Sequence, residues 1–241
     1  MTTFTEIVAV VTGASSGIGK AIALELAAQG ATLCLLGRAL ETLQAIANSI
    51  PASAPRSRCF QVDLTLDEDI HKLKARLEQD FGHIDLLVHS AGVISLGQLA
   101  TAHVEDFDWQ YRTNVRAPYA LTQALLPLLI PRQGQIVFIN SSAGLNARAG
   151  VGQYAATKHA LKAIADSLRA EVNALGLRVI SVFPGRTASP MQAAVHEIEG
   201  KAYYPDNLLQ PQDVAVTVIN ALSLPRSAEV TDISIRPLVK S

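Results

Sequence analysis

Cysteine, tryptophan and net charge are all scarce in this 241-residue sequence, which has two cysteines, one tryptophan and a formal net charge of −1. Cys34 and Cys59 both lie in apolar, strand-like runs, so we expect reduced core residues of an intracellular protein and no disulfide framework. A net charge near zero gives no electrostatic basis for binding nucleic acid or an anionic membrane. These shortages favour a small molecule as the ligand.

Long apolar runs and leader signals are missing as well. The N-terminus lacks the basic segment of a signal peptide, and its apolar run stops at a glycine turn. The longest apolar stretch, residues 117–131, is too short and too proline-bounded to cross a bilayer. No spacing predicts a metal site, and no linker divides the chain. We therefore expect one cytoplasmic domain that spans residues 1–241.

Seven short apolar runs alternate with amphipathic, helix-like segments. This alternation predicts right-handed βαβ crossovers and a parallel sheet covered by helices on both faces, a doubly wound α/β fold. Such a sheet binds its ligand at the carboxyl ends of its strands. The candidate strands are residues 7–12, 31–37, 57–62, 84–89, 134–140, 177–183 and 229–235.

A glycine-rich loop, TGASSGIG, follows the first candidate strand and leads into a helix. Gly13, Gly17 and Gly19 allow a tight turn and a close approach of the backbone to a pyrophosphate at the helix N-terminus. The spacing GxxxGxG departs from the usual GxGxxG fingerprint. The loop could be a mere tight connection, but its place between strand and helix favours dinucleotide binding.

The second candidate strand ends at Gly37 and Arg38, where an NAD site would carry a carboxylate for the ribose. A guanidinium instead suits the 2′-phosphate of NADP, so NADP(H) is favoured over NAD(H). The alternative is a solvated arginine in the first turn of a helix. Asp63 closes the third strand and could either cap the following turn or bind the adenine amino group; its position favours both equally.

Tyr154 and Lys158 lie four residues apart in YAATK, on a segment with helical periodicity. The phenol and the ammonium therefore share one helix face. A phenol titrates near pH ~10, so proton transfer at neutral pH asks for a pKa shift of roughly 3 units, about 4 kcal/mol, which a nearby cation would supply. Alone, the pair could be a core-edge tyrosine and a solvated lysine. Ser141 and Ser142, which end an apolar run, make a catalytic group more plausible.

Taken in order, TGASSGIG, HSAG at 89–92, Asn114, Ser141, YAATK and Pro-Gly at 184–185 make the chain resemble the short-chain dehydrogenases/reductases from end to end. The resemblance implies a single Rossmann-type domain with strand order 3-2-1-4-5-6-7. It also implies an NADP-dependent oxidoreductase acting on a carbonyl or secondary alcohol, with a catalytic set of Asn114, Ser141, Tyr154 and Lys158.

In this resemblance each catalytic residue has a role. Tyr154 would be the general acid or base, and Ser141, favoured over Ser142 by spacing, would hold the carbonyl oxygen. Lys158 would bind the nicotinamide ribose and lower the phenol pKa, and Asn114 would anchor a water in the proton relay. The implied cofactor-binding residues are Gly13, Ser15, Ser16, Gly17, Ile18, Gly19, Arg38, Asp63, Leu64, Ala91, Gly92, Asn114, Tyr154, Lys158, Pro184, Gly185, Thr187 and Ser189.

The resemblance further implies a substrate lid around residues 188–210 and assembly as a homodimer or homotetramer. The assembly would use the helices that bear Asn114 and Tyr154. Trp109 and Tyr111 are expected to be core or interface aromatics. The apolar positions that could serve either the interface or the core are Leu121, Leu125, Leu161 and Leu168.

One motif departs from the family pattern, because His89 and Ser90 replace two asparagines that usually brace the central sheet. A catalytic His89 is possible, but we favour a hydrogen-bonded histidine at a strand end. Arg148 and Arg186 could each meet an anionic substrate or be surface charges. The alternative functions are a non-catalytic NADP(H)-binding sensor and a sugar-nucleotide epimerase or dehydratase. An epimerase or dehydratase would need a larger C-terminal substrate domain than 241 residues can hold.

Overall fold

Seven parallel strands form one sheet in the computed structural model, which describes residues 4–52, 54–55 and 57–238. The order is β3-β2-β1-β4-β5-β6-β7, so the predicted fold and strand order are confirmed. The strands are β1 Val8–Thr12, β2 Thr32–Gly37, β3 Arg58–Gln61, β4 Leu86–His89, β5 Gln135–Ile139, β6 Arg178–Pro184 and β7 Asp232–Ile235.

Helices connect these strands on both sides of the sheet. A π-helical turn, Arg112–Arg116, joins α4 to α5 and contains Asn114. Within the described ranges, none of the helices is long and apolar enough to cross a membrane. The helices are α1 Gly17–Ala28, α2 Leu40–Ser49, α3 Asp67–Phe81, α4 Val104–Tyr111, α5 Ala117–Leu129, α6 Gly152–Val172, α7 Pro190–Ile198 and α8 Pro211–Leu222.

Two apolar clusters, one on each face of the sheet, hold the layers together. Alternation along the strands divides the side chains: on β1, Ala9 and Val11 belong to one cluster and Val8 and Val10 to the other. Helices α1, α2 and α8 cover the first face, and α3, α5 and α6 cover the second. Because each fully buried aliphatic side chain contributes about 1.5–3 kcal/mol, these clusters dominate the stability of the fold.

The four leucines for which the sequence left core and interface positions as alternatives all lie in the second cluster. Leu121 and Leu125 are fully buried, and Leu161 and Leu168 are nearly so. They pack within the chain and leave no apolar surface for a partner. Trp109 and Tyr111 are 43% and 48% exposed, so the core alternative for these aromatics is wrong.

The strand order reverses between β1 and β4, which is where a ligand crevice is expected. β1 pairs with β2 on one side and with β4 on the other. The connections that leave β1 and β4 run to opposite faces of the sheet, which opens a gap at their carboxyl ends. The glycine loop that follows β1 and the HSAG segment at the end of β4 meet at this gap.

Candidate active site

A cleft of about 420 Å³ runs along the carboxyl ends of the strands. All the residues predicted from the sequence to bind cofactor or catalyse line it, except Gly19 and Asn114, which lie directly behind its wall. Its lining extends from the glycine loop and Arg38 at one end to Ser141, Tyr154 and the Pro184–Gly185 turn at the other. The structure thus brings the predicted site residues together in one place.

The glycine loop requires glycine for reasons of space and of backbone conformation. Gly13 and Gly17 have φ of +63° and +53°, in the left-handed region that side chains disfavour. A Cβ on Gly19 would lie 2.4 Å from the carbonyl oxygen of Gly13, so α1 can pack against the loop only without a side chain there. Among the described residues, no side chain caps the N-terminus of α1, whose first amide groups therefore remain available to a ligand.

Arg38 and Asp63 line the far end of the cleft, after β2 and β3. The Arg38 side chain is exposed, while its carbonyl oxygen accepts a 3.0 Å hydrogen bond from Gln61 Nε2. Asp63 Oδ1 accepts hydrogen bonds from the amide and hydroxyl of Thr65, at 2.9 and 2.7 Å, which hold the pKa of the carboxyl below its usual value. Asp63 therefore caps the turn that follows it and also faces the cleft.

Ser141, Tyr154 and Lys158 meet where β5 ends against the first turns of α6. Burial raises the pKa of Tyr154, and a hydrogen bond with Ser141 acts in the opposite direction. Lys158 is 4% exposed, and burial lowers its pKa to about 8. Its Nζ donates a 3.2 Å hydrogen bond to the Ile139 carbonyl and lies 5.8 Å from the ring centre of Tyr154. Burial thus outweighs the expected effect of the lysine charge on the phenol pKa.

Ser141 is fixed by its own strand end. Its amide donates to Asn140 Oδ1 at 2.9 Å, and its hydroxyl accepts from the amide of Ala143 at 3.1 Å. Gly144 completes the turn, because a Cβ at this position would lie 2.5 Å from Asn140 Oδ1 and 2.9 Å from the Lys158 carbonyl. Ser142 is exposed. The geometry agrees with the choice of Ser141 over Ser142.

Asn114 is 1% exposed and lies behind the cleft wall. Its Oδ1 accepts from the Val93 amide at 2.9 Å, and its Nδ2 donates to the Val93 carbonyl at 2.9 Å and to Thr157 Oγ1 at 3.1 Å. Thr157 in turn donates to the Tyr154 carbonyl at 2.8 Å. Asn114 therefore joins the segment after β4 to the helix that carries Tyr154.

The segment after β6 forms the other end of the cleft. Thr187 is buried and its Oγ1 donates to the Gly185 carbonyl at 3.0 Å. Ser189 caps α7, with its hydroxyl accepting from Gln192 N at 3.2 Å, and its amide donates to the Tyr203 hydroxyl at 3.2 Å. Backbone pairing between Thr187 and Leu209 holds the two ends of segment 188–208 side by side.

A family model described as short chain dehydrogenase matches residues 7–200. The chain belongs to the short chain dehydrogenase family. An uncharacterized oxidoreductase of Staphylococcus aureus (strain USA300) is 34% identical over 239 residues, which make up 99% of this chain and 100% of the relative. The protein is therefore an oxidoreductase of this family.

Solved structures agree with this membership. The alcohol dehydrogenase of the archaeon Thermococcus sibiricus, complexed with 5-hydroxy-NADP, has a TM-score of 0.89 and 25% identity and covers 98% of both chains. A protein from Shigella flexneri 2a named as a short chain dehydrogenase, complexed with NADP, has a TM-score of 0.89 and 31% identity, with 97% of this chain and 98% of that chain covered.

In this protein the histidine of HSAG is part of the core. His89 is 4% exposed, stacks on Phe138 at 4.8 Å between ring centres, and has its Nε2 2.8 Å from Thr122 Oγ1. Burial lowers its pKa to about 3, so the ring is neutral at physiological pH. It does not line the cleft, in agreement with the favoured structural interpretation.

The two arginines for which the sequence left substrate binding or a surface position as alternatives behave differently. Arg186 Nη2 contacts both carboxylate oxygens of Glu199, at 2.6 and 2.8 Å, and this hydrogen-bonded pair lowers the pKa of Glu199 to about 2. Arg186 is thus held in an ion pair, and Lys201 Nζ also contacts Glu199, at 3.1 Å. Arg148 lines the cleft, is exposed, and has no ion pair within the part of the chain that the structure describes.

Sequence reasoning overlooked several residues of this site. Thr12 Oγ1 accepts from the amides of Ser90 and Ala91 at 2.9 and 3.0 Å, which joins the ends of β1 and β4. Thr12 could have been found from the sequence, since it is a polar residue at the end of an apolar strand. Asn140 shows the same pattern directly after β5. Gln110 is fully buried on α4 and carried no such signal. Across residues 4–52, 54–55 and 57–238, His, Cys, Asp and Glu form no cluster that could hold a metal ion.

Proposed function

We propose that this protein transfers a hydride between NADP(H) and a carbonyl or secondary alcohol substrate, with Tyr154 as the general acid or base. The observation that carries the proposal is the convergence of Ser141, Tyr154 and Lys158 in a cleft whose other end is the glycine loop. The protein aligns the reactants and stabilises charge on the reacting oxygen. The bound cofactor would supply the hydride.

The residues of the cleft fit a dinucleotide phosphate. The start of α1 presents amide groups without a side-chain cap, and a helix N-terminus attracts negative charge. Gly13, Gly17 and Gly92 leave the adjoining wall without side chains. Ser16 and Arg38 both line the cleft, and their hydroxyl and guanidinium groups would supply a hydrogen-bond donor and a cation to a 2′-phosphate.

Preference for NADP(H) over NAD(H) rests on Arg38. The residue that follows β2 in this protein is a cation exposed to the cleft, and no carboxylate competes for the ribose hydroxyls at that strand end. Two similar solved structures hold NADP or 5-hydroxy-NADP. Asp63, already engaged by Thr65, would use its second oxygen for the adenine amino group.

The roles of the catalytic side chains follow from their surroundings. A raised pKa keeps Tyr154 protonated near neutral pH, the form that carbonyl reduction needs. Ser141 holds the carbonyl oxygen beside the phenol, and Lys158, still mostly charged below its pKa of about 8, favours negative charge on the phenol oxygen. Alcohol oxidation would need the deprotonated phenol, so its rate is expected to rise with pH.

The substrate end of the cleft is mostly apolar. Its side chains would favour a substrate with an aliphatic or aromatic body next to the carbonyl, and the unpaired Arg148 at the mouth would attract an acidic group. Segment 188–210 would close over this end as a lid that excludes water. The apolar lining residues here are Ile94, Leu96, Val151, Met191 and Val195.

We also propose that two or four copies assemble through the outer side of the helical run 104–129. Phe107, Trp109, Tyr111 and Tyr119 are between 36% and 52% exposed there, and large aromatics are enriched at protein interfaces. Light scattering of the intact protein would give the oligomeric state. Trp109→Glu is expected to shift the oligomeric state toward the monomer. An unchanged molecular mass would show that the interface lies elsewhere.

The first test measures NADPH and NADH binding by fluorescence and then follows absorbance at 340 nm with aldehydes, ketones and 3-oxo acids. Each ketone should be paired with a carboxylated analogue, so that the contribution of Arg148 can be read from the same data. Tight NADPH binding with turnover of any carbonyl compound supports the proposal. NADPH binding without turnover of any compound in the panel would indicate a non-catalytic sensor. Absence of NADPH and NADH binding would contradict the proposed role of the glycine loop and overturn the proposal.

A further inference from the structure

Three hydrogen bonds join the side chains of the buried Gln110 and the half-buried Gln153 into a chain beside the substrate end of the cleft. The Ser95 amide donates to Gln110 Oε1 at 3.0 Å, and Gln110 Nε2 donates to Gln153 Oε1 at 3.3 Å. Gln153 Nε2 then donates to the His103 carbonyl at 2.9 Å. Gln110 is fully buried on α4, and Gln153 immediately precedes Tyr154 on α6.

The direction of this chain is fixed by the backbone groups at its ends. A backbone amide can only donate, so the oxygen of Gln110 must face Ser95 and its amino group must face Gln153. Gln153 then presents its oxygen to Gln110 and its amino group to the carbonyl of His103, which can only accept. In each of these hydrogen bonds a donor therefore faces an acceptor.

The arrangement repeats the contacts of Asn114 one helical turn away. Asn114 binds the backbone of Val93 and reaches Thr157, whereas Gln110 binds the backbone of Ser95 and reaches Gln153. Each partner on α6 is thus four residues from the other, as are the two amides on the helical run. The segment that follows β4 is held at two points by side chains that also contact the catalytic helix.

The held segment forms a wall of the substrate end. Ile94 and Leu96, on either side of Ser95, both line the cleft that contains Tyr154. Residues 90–103 contain no strand or helix, so individual hydrogen bonds and packing contacts fix their position. A second bond, from the Gly97 amide to the Gly150 carbonyl at 2.9 Å, joins the wall to the loop that carries Arg148.

We propose that Gln110 and Gln153 are positioning residues for substrate binding. Their amide chain sets the distance between the apolar wall at Ile94 and Leu96 and the phenol of Tyr154, and so selects the shape of the carbonyl substrate. The kinetic part of this inference rests on the proposed function. The structural part, which concerns how the wall is held, does not.

The test uses Gln110→Met and Gln153→Met, which keep side-chain length and remove the hydrogen bonds, together with the double variant. Gln79→Met, an exposed position on α3, is the matched control. We expect amide exchange at residues 93–97 to rise about tenfold in both single variants. We expect KM for the carbonyl substrate to rise about five- to tenfold, with kcat and the Kd for NADPH within about twofold of the parent.

Gln153→Glu separates the two halves of the chain, because a carboxylate still accepts from Gln110 but cannot donate to His103. Protection of the Ser95 amide is expected to persist in this variant and to be lost in Gln153→Met. If Gln110→Met does not fold, the comparison of Gln153→Glu with Gln153→Met still tests the inference. The double variant should show about the same amide exchange and the same KM as the single variants, since the loss of one hydrogen bond is enough to release the wall.

Several results would overturn the inference. Unchanged exchange at residues 93–97 in Gln153→Met would show that the amides do not hold the wall, whatever the activity. Faster exchange with unaltered KM would remove their role in substrate binding, and additive effects would show that the two amides act separately. Failure of the parent protein to turn over any carbonyl compound would refute the proposed function, and the exchange experiment would still test the chain of amides.

Discussion

Asn140 and Lys158 are joined by a 3.0 Å hydrogen bond from the Asn140 side-chain amide to the Lys158 backbone carbonyl. The same Asn140 side chain accepts from the amide of Ser141, so one residue links the strand that carries the serine to the helix that carries Tyr154. The distance between serine and tyrosine is thereby set by a buried contact between β5 and α6.

Tyr154→Phe is expected to lower turnover by about 10²- to 10⁴-fold, because the variant loses the group that donates the proton. NADPH affinity should change little, since the ring and its packing remain. Steady-state kinetics and NADPH fluorescence titration measure the two quantities. Tyr119→Phe, at an exposed tyrosine of α5, is the control. Full activity in Tyr154→Phe would remove the tyrosine from the mechanism.

Arg38→Asp is expected to weaken NADPH binding by about 10- to 100-fold, the effect of losing a charge-assisted hydrogen bond and adding a like charge. NADH binding should stay the same or improve. The ratio of the two dissociation constants is the readout. Arg76→Asp makes the same charge change at an exposed site on α3. An unaltered ratio would make Arg38 an ordinary surface residue.

Lys158→Met is expected to abolish most turnover and yet to stabilise the fold. Burial lowers the pKa of Lys158 from 10.5 to about 8, which corresponds to about 3 kcal/mol of unfavourable charge burial, offset by about 1 kcal/mol for the lost bond to Ile139. Between pH 8 and 10.5 the unfolded chain binds more protons, so the parent gains stability as pH rises through this window. Urea denaturation should show the advantage of the variant below pH 8 and its disappearance near pH 10.5.

His89→Asn restores the asparagine usual in the family and tests the role of the buried ring. The variant loses the stacking on Phe138 and is expected to be about 1–3 kcal/mol less stable at pH 7, with turnover retained. The pKa of His89 is lowered from 6.5 to about 3, so its contribution to stability is full above pH 6.5 and is lost as pH falls toward 3.

Acid denaturation followed by circular dichroism checks this expectation. The parent should lose stability more steeply than His89→Asn between pH 6.5 and 4, and the exposed His71→Asn should follow the parent. Parallel curves for parent and His89→Asn would show that the ring is not buried in neutral form. Loss of turnover in a folded His89→Asn protein would return His89 to the list of catalytic candidates.

The strands, their order and the contents of the cleft were predictable from local patterns and family resemblance. Gly13, Tyr154 and Lys158 belong to short motifs whose spacing carries their chemistry. The pairing of Arg186 with Glu199 and of Gln110 with Gln153 was not predictable, because each pair joins residues that only the folded chain brings together. A buried glutamine on a helix also has the same sequence signal as a solvated one.

The exposure of the aromatic side chains on α4 could likewise not be predicted from the sequence. Trp109 and Tyr111 lie exposed on α4, and the sequence left core and interface positions as alternatives for both. The effect of Lys158 on the phenol was also misjudged, since the sequence shows the charge but not the burial that outweighs it. Both outcomes depend on the tertiary environment, which a single sequence does not display.

The place of β1 between β2 and β4 has a consequence for how the chain acquires its shape. The backbone amide of Val8 is hydrogen-bonded to Asp85, 77 residues later, so the centre of the sheet closes only after a long loop has been ordered. Such distant pairings slow folding. On the ribosome, β1 would leave the exit tunnel with one apolar edge still lacking its neighbour, and we expect chaperone dependence to be greatest during synthesis of the residues before β4.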